Sequence, residues 1–249
     1  MKVFLHQLRA EQLIFWRSRE SAVFVFIFPV MLFLLLGAVY GNDRSGGVPV
    51  KLLLVSGLIA YGCANTAFAG LAITLVIRRE SGILKRLRAT PLPIGAYVAA
   101  VLGSTLIVFA LQTIVIVLLA KGVYGAKLPP RVGSLVALVA IGAVAFACLG
   151  VGIASLIRSA EGSSAVVNVI LLPMAFLTGS FGPTRHYPRF LRAIGDVLPL
   201  KYFVDLVEGA YVHAQGFWTK PSALAVLGAW ALAGLVVALR RFRWEPREG

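Results

Sequence analysis

The sequence predicts an all-α integral membrane protein with six transmembrane helices, and three observations carry that prediction. Of the 249 residues, 59% are hydrophobic and 14% charged, whereas soluble domains have about 45–50% apolar and 25% charged residues. Strands of alternating polarity, which a membrane barrel requires, are not seen. Six stretches lack Asp, Glu, Lys and Arg and are long enough to span a bilayer as helices: residues 21–40, 52–77, 94–120, 132–157, 165–182 and 222–239.

The segments between these stretches are too short to fold separately, so we expect a single transmembrane domain over residues 1–249. Six spans place both termini on one side of the membrane. Basic residues near span ends hold a loop in the cytoplasm, and the densest basic cluster lies within residues 78–88. We therefore expect a multi-pass protein of the cytoplasmic membrane, with both termini in the cytoplasm. The formal charge of +14 is expected to meet anionic lipid, not nucleic acid.

The interiors of the predicted spans contain no Asp, Glu, Lys or Arg. Proton-driven and sodium-driven transporters usually need an intramembrane carboxylate or a broken helix, so this pattern disfavours them. Polar side chains do occur there, and interhelical hydrogen bonding is their default role. The alternative role, lining a substrate path, has three candidates: Asn65, Gln112 and Asn168.

Residues 1–20 precede the first span and predict a helix with one apolar face. That face carries Phe4, Leu5, Leu8, Phe15 and Trp16, whereas Lys2, Arg9 and Arg17 lie outside it. Such a helix can lie in the interfacial layer of a membrane. We expect an interfacial helix, with a solvated basic leader as the alternative.

The loop of residues 78–91 predicts a short cytoplasmic helix. Ile83, Leu84 and Leu87 have helical spacing among basic residues, and Pro91 ends the helix before the third span. A helix with an apolar stripe is suited to docking into a groove on another protein. A basic hairpin held on lipid is the alternative.

The segment of residues 183–221 is too long to be a plain connector. Phe190, Leu191 and Ile194 predict one short helix, and Pro199 can open a second. In the second helix Lys201 and Asp205 can pair at i, i+4, and Tyr202 lies on the apolar face. We expect two half-buried, re-entrant helices in the outer leaflet, above a path between subunits.

Several motifs of catalysis and cofactor binding are absent. No Lys is followed by Ser or Thr, so the chain has no Walker loop for ATP, and H-E-x-x-H, C-x-x-C and G-x-S-x-G do not occur. We therefore expect no catalytic, cofactor or metal site in this chain. An ATP-driven mechanism would need a separate ATPase chain that binds ATP and Mg.

Residues 79–92, R-E-S-G-I-L-K-R-L-R-A-T-P-L, resemble the R-E-x-G-T-L-x-x-L-x-x-T-P-L stretch of the membrane permeases of ABC type-two exporters. The segment from Pro173 to Tyr202 is similar to the same family's span-to-loop pattern, and Trp16-Arg17 followed by Phe28-Pro29 fits its opening. The similarity follows the chain in order over almost its whole length. The chain departs from the pattern at Ile83, where Thr is frequent, and at Glu208, where Arg often stands.

The resemblance implies six helices per subunit and a functional pair made with a second copy or a related permease. It also implies an ATP-binding-cassette ATPase subunit beneath each permease, and an elbow role for the N-terminal helix. By the same likeness Pro199, Tyr202 and Asp205 belong to outer gate helices. The coupling helix that docks to the ATPase would contain Glu80, Gly82, Ile83, Leu84, Leu87 and Arg88.

These observations favour the permease subunit of an ATP-driven exporter of an amphipathic or apolar substrate, such as a drug, a lipid or a lipid-linked glycan. An ion-coupled secondary transporter is the first alternative. A membrane-embedded lipid-modifying enzyme is the second, and its candidate acids and bases are Asp196, Asp205, Glu208, His186 and His213. The cargo stays open, as does the choice between drug efflux with antibiotic resistance and secretion of a product.

Overall fold

The computed structural model of the protein describes residues 2–242, with Ser21 described by its backbone alone. Met1 and residues 243–249, the two ends of the predicted domain, lie outside the described residues. The α-helices are α1 (Lys2–Arg17), α2 (Arg19–Tyr40), α3 (Val50–Cys63), α4 (Leu71–Glu80), α5 (Ile83–Arg88), α6 (Ile94–Tyr124), α7 (Val132–Leu156), α8 (Ala160–Leu177), α9 (Arg189–Gly195), α10 (Pro199–Tyr211) and α11 (Pro221–Arg241). A π-helix (Ala64–Gly70) joins α3 to α4, a 3-10 turn spans Phe217–Thr219, and strands β1 (Arg44–Ser45) and β2 (Val48–Pro49) form a hairpin.

The structure confirms the predicted fold class, because six helices are long and apolar enough to cross a membrane. They are Ala22–Tyr40, Val50–Glu80, Ile94–Tyr124, Val132–Leu156, Ala160–Leu177 and Pro221–Arg241. Successive spans run in opposite directions, so α5 lies at one end of the bundle and α10 at the other. We call these the α5 end and the α10 end.

Two spans differ most from their predicted bounds. The second was expected over residues 52–77, but its helix extends to Glu80 and includes two arginines that the sequence assigned to the loop. The fifth was expected over residues 165–182 and instead begins at Ala160, because the Ser159 hydroxyl caps the helix and accepts a hydrogen bond from the Gly162 amide at 3.4 Å. It ends at Leu177, where Gly179 (φ +83°) turns the chain.

The second span is the centre of the bundle. In the most apolar stretch of the second span, 83% of the residues are buried. The corresponding fraction in the first span is 17%, because that span lies at the periphery. A helix that is apolar on all sides is stable only when neighbouring helices or lipid surround it. Here the neighbours are α2, α6, α7, α8 and α10. The second span therefore contacts most of the other helices in the bundle.

Helices α7 and α11 approach each other closely at two glycines. A Cβ added to Gly152 would lie 2.7 Å from the carbonyl oxygen of Gly234, and one added to Gly234 would lie 2.7 Å from the carbonyl oxygen of Cys148. Small residues let helix backbones approach in this way, which strengthens van der Waals packing where the hydrophobic effect does not act between helices.

We expect Gly234→Val to destabilise the bundle by about 1–3 kcal/mol, because the added methyl groups would meet α7 backbone atoms that cannot rotate away. Thermal unfolding of the purified protein in mild detergent measures the effect. Gly228→Val is the matched control, since Gly228 lies on the same helix with no atom within 4 Å of an added Cβ. Equal melting temperatures for the two variants would contradict this account of the contact.

Candidate functional site

The turn between the second span and α5 depends on a glycine. Ser81 follows α4, and its hydroxyl donates to the carbonyl of Ile77 at 2.8 Å. Gly82 then adopts φ +72°, in the left-handed region that other residues enter at a cost. This single residue reverses the chain direction, so that α5 projects from the end of α4. The sequence analysis included Gly82 in the predicted coupling helix, but it did not predict the left-handed backbone conformation of this residue.

Arg79 fastens the end of the second span to the end of the fourth. Its side chain is 1% exposed, and its guanidinium donates to the carbonyl oxygens of Ala154 at 3.1 Å and Ile157 at 2.7 Å. The last carbonyls of a helix have no partner within the helix and carry a partial negative charge, so a cation is favourable there. The same guanidinium pairs with Glu80 at 3.0 Å. Arg79 therefore caps α7 from a neighbouring helix.

Arg78 joins three helices at the same level. Its guanidinium binds both carboxylate oxygens of Glu11, at 2.9 and 2.6 Å, and also donates to the hydroxyl of Tyr97 at 2.9 Å. Glu11 is 6% exposed. Two parallel hydrogen bonds between an arginine and a carboxylate give both strength and a fixed geometry. The cluster of Glu11, Arg78 and Tyr97 thus ties α1 to the ends of α4 and α6.

The rest of α1 also packs on α6, through its predicted apolar face and one amide. The side chain of Leu8 lies against Gly103, and the amide of Gln12 donates to the carbonyl of Ser104 at 3.1 Å. Leu5 and Trp16, which the sequence placed on the same face, are 54% and 47% exposed. The helix predicted in this region is present over Lys2–Arg17.

The structure divides the predicted coupling residues into a buried and an exposed group. Leu84 is fully buried in the bundle, so its side chain contacts its own protein and not a docking partner as predicted. Leu87 is half-buried against the same core. The carboxylate of Glu80 forms an ion pair with Arg79, whereas the side chains of Ile83 and Arg88 are exposed. The exposed face also contains Lys85 and Arg86, which sequence reasoning treated only as bases beside the stripe.

The three predicted path residues do not line one path. Gln112 and Asn65 lie in the buried middle of the bundle, where the hydroxyl of Thr66 donates to the side-chain oxygen of Gln112 at 3.3 Å. The amide nitrogen of Gln112 is buried without a hydrogen-bond partner. Asn168 is exposed on α8, and its amide donates to the carbonyl of Ser164 at 2.9 Å. Thr66 and Gln112 therefore form a polar contact between helices, Asn65 is buried next to Thr66 in the chain, and Asn168 is separate from them.

The residues predicted for the outer gate lie at the α10 end. Pro199 is buried at the start of α10, and Tyr202 donates its hydroxyl hydrogen to the carbonyl of Asp196 at 2.7 Å. The predicted pair of Lys201 and Asp205 is confirmed, with 2.6 Å between nitrogen and oxygen. At the far end of α10, Tyr211 donates to the carbonyl of Lys127 at 3.3 Å. Burial raises the pKa of the Tyr211 phenol, which keeps it a neutral donor.

The acids and bases proposed for a lipid-modifying enzyme do not converge on a metal site. In residues 2–242, apart from the side chain of Ser21, no group of three or more His, Cys, Asp or Glu residues could hold a metal ion. Asp205 is paired with Lys201, and the carboxylate of Glu208 lies 3.5 Å from the imidazole of His213. Asp205, Glu208 and His213 line one cavity at the α10 end, whereas Asp196 and His186 do not.

Sequence reasoning missed the three residues that hold the end of α4 in place, Glu11, Arg78 and Arg79. It counted Arg78 and Arg79 among the bases of a loop, and it did not consider Glu11. One signal was available: Glu11 is the only acidic residue between Met1 and Arg19. An isolated acid in an amphipathic basic helix indicates a specific cationic partner.

The comparison with protein families decides the assignment. The model of the ABC-2 type transporter family matches residues 3–212, which include α1, α5 and α10. The chain belongs to the ABC-2 type transporter family. With its six apolar helices, this ABC-2 protein is a multi-pass membrane protein.

Three relatives of this ABC-2 protein are transport permeases by name. The inner membrane transport permease YhhJ of Escherichia coli (strain K12) is 27% identical over 173 residues, which are 68% of this chain and 46% of YhhJ. The ycf38 protein of Cyanophora paradoxa is 29% identical over 67% of this chain and 59% of its own. YvfS of Bacillus subtilis (strain 168) is 24% identical over 82% of this chain and 83% of its own. The chain thus spans about half the length of YhhJ.

In this ABC-2 protein we expect Glu11→Ala to cost about 3–5 kcal/mol of stability, because it leaves the buried cation of Arg78 without its carboxylate. Thermal unfolding in mild detergent measures the loss. Glu20→Ala is the matched control, since Glu20 is exposed at the start of α2. The double change Glu11→Leu with Arg78→Met should recover much of the loss, because it removes both charges. Equal destabilisation by the two alanine changes would contradict the assigned role.

Proposed function

We propose that this chain is the membrane-spanning permease subunit of an ATP-driven ABC exporter. A separate ATPase subunit binds ATP and Mg and docks on the α5 end, and a second permease, either another copy or a related chain, completes the pathway. Family membership supports the general scheme, and the α5 segment supports the docking site. The chain itself has a transport role and no catalytic one.

The observation that carries the proposal is the rigid attachment of the exposed helix α5 to the central span. Leu84 anchors α5 in the core, and Gly82 sets its direction from α4. Arg78 and Arg79 then hold the end of α4 against α1, α6 and α7. A displacement imposed on α5 is therefore transmitted to four helices and not absorbed in a flexible loop. This is the property that a coupling helix requires.

The face of α5 offered to a partner is small, basic and partly apolar. Ile83 is 43% exposed, and Lys85, Arg86 and Arg88 surround it with positive charge. Such a face fits a groove with an apolar floor and an acidic rim, where an apolar anchor supplies affinity and charges supply orientation.

The orientation proposed for the membrane follows from the same basic cluster. Arginine and lysine near span ends favour the cytoplasmic side, and residues 78–88 contain the densest set in the chain. The α5 end, α1 and both termini then face the cytoplasm, and the α10 end faces outward. The membrane is the cytoplasmic membrane, and transport runs from the α5 end to the α10 end.

The proposed cargo is an amphipathic or apolar solute such as a drug, a lipid or a lipid-linked glycan. The predicted spans are free of ionisable residues, and the buried polar groups Thr66 and Gln112 are neutral. A small ion needs charged or carbonyl ligands along its path. An apolar or amphipathic solute does not need such ligands, and the spans therefore favour this class of cargo over a small ion.

The docking proposal is tested by co-purification from the native membrane, with mass spectrometry of the accompanying chains. We expect an ATP-binding-cassette ATPase to accompany the wild type and to fall by about tenfold or more with Ile83→Asp and Arg88→Glu together, because an apolar anchor and a charge are lost. The matched control is Ile194→Asp with Arg192→Glu, which makes the same changes on exposed residues of α9 at the α10 end.

Two results would contradict docking through α5. Either no ATPase accompanies the wild type under any mild condition, or the α5 and α9 variants lose it equally. Thermal unfolding of both variants shows whether each is folded. The pair Ile83 and Arg88 serves this purpose better than Leu84, whose substitution would also damage the core.

The proposal that ATP hydrolysis belongs to a separate chain gives a second test. The purified permease alone is expected to hydrolyse no ATP, since it contains no Walker loop. Phosphate release measured before and after addition of the co-purified ATPase checks this. Strong hydrolysis by a clean preparation of this chain would refute the proposal that a separate chain is the motor.

A further inference from the structure

A cavity of about 320 Å³ lies at the α10 end of the bundle. Its walls are the hairpin of β1 and β2, the segment of residues 178–185 after α8, and one face of α10. Its volume is at the lower end of the range of about 300–1,000 Å³ for small-ligand sites. Because these walls connect the ends of spans, the cavity lies at the level of the lipid headgroups.

The segment of residues 178–185 brings one cation, Arg185, to this cavity, where it packs against the hairpin of β1 and β2. Gly46 and Gly47 both have positive φ, +61° and +79°, which is the conformation of a tight two-residue hairpin turn. The guanidinium of Arg185 lies directly against Gly46, in the space that a Cβ would fill. Within residues 2–242, no carboxylate is recorded within ion-pairing distance of Arg185. Its charge is therefore available to a ligand.

Helix α10 brings one anion to the same cavity. Lys201 and Asp205 neutralise each other at 2.6 Å. Among residues 2–242, the carboxylate of Glu208 is paired with the imidazole of His213 at 3.5 Å. The cavity is therefore lined by the cation of Arg185 and the anion of Glu208, which belong to two different structural elements.

We propose that this cavity binds a zwitterionic group of the phosphoethanolamine type, with its phosphate at Arg185 and its primary ammonium at Glu208. The fork of a guanidinium matches phosphate oxygens, and a carboxylate accepts hydrogen bonds from an ammonium. Ser45 and Thr184 line the same cavity and offer hydroxyl donors to the phosphate. The ligand is either the headgroup of phosphatidylethanolamine or free phosphoethanolamine. The inference rests on the proposed function in one respect: the proposed orientation places the cavity on the outer side of the membrane.

Native mass spectrometry of the full chain in mild detergent tests the proposal, with phosphatidylethanolamine and phosphatidylglycerol supplied at equal concentration. We expect the wild type to retain phosphatidylethanolamine selectively, and Arg185→Gln and Glu208→Gln each to lower that retention by about tenfold, since each removes a charge-assisted hydrogen bond. Arg189→Gln is the matched control, because it removes a cation from exposed α9 at the same end, outside the cavity.

Free phosphoethanolamine, titrated into the same protein by calorimetry, distinguishes the two sources of the group. Binding of the free compound without retention of the lipid supports a soluble ligand, and retention of the lipid supports a headgroup. Equal retention of phosphatidylglycerol, or no effect of Glu208→Gln on either ligand, would overturn the zwitterionic assignment. The measurement needs neither ATP nor the ATPase. A negative result for ligand binding can therefore be distinguished from a negative result in the docking test.

Discussion

The rest of the α5 end depends on two buried arginines at the end of the second span. Removing a guanidinium from water is costly, so each cation must have acceptors in place. Arg79 uses the carbonyls of Ala154 and Ile157 at the end of α7, and Arg78 uses the carboxylate of Glu11. Because these acceptors lie on α7 and α1, and Arg78 also donates to Tyr97 on α6, the electrostatic requirement of two adjacent residues fixes the positions of three helices relative to α4.

The position of these arginines gives the short helix α5 its mechanical importance. The span that ends in them is the most buried of the six, and it extends from the cavity at the α10 end to the turn at Gly82. A π-helix interrupts this span at Ala64–Gly70, beside the buried contact of Thr66 with Gln112. Such interruptions often occur at functional sites. The central span thus connects the proposed docking face with the proposed ligand site.

Local interactions were predictable, and long-range ones were not. The pair of Lys201 and Asp205 was predicted because the two residues are four apart on one helix, and the structure has it. Helix α5 was predicted from its spacing, but the direction of Leu84 was not, because an apolar stripe fits equally well on a partner or on the chain's own core. Asn65 and Gln112 were chosen for their polarity alone, which does not distinguish a path from a sealed contact.

The sequence by itself determined that this is a six-span helical membrane protein, because a run of apolar residues must form a helix in lipid to satisfy its backbone. It also determined the family, through a pattern that extends along most of the chain. Only the tertiary structure decided that Glu11 meets Arg78, that Arg79 caps α7, and that Arg185 and Glu208 line one cavity. The physical reason is that charges far apart in the chain become partners only when packing has placed their helices.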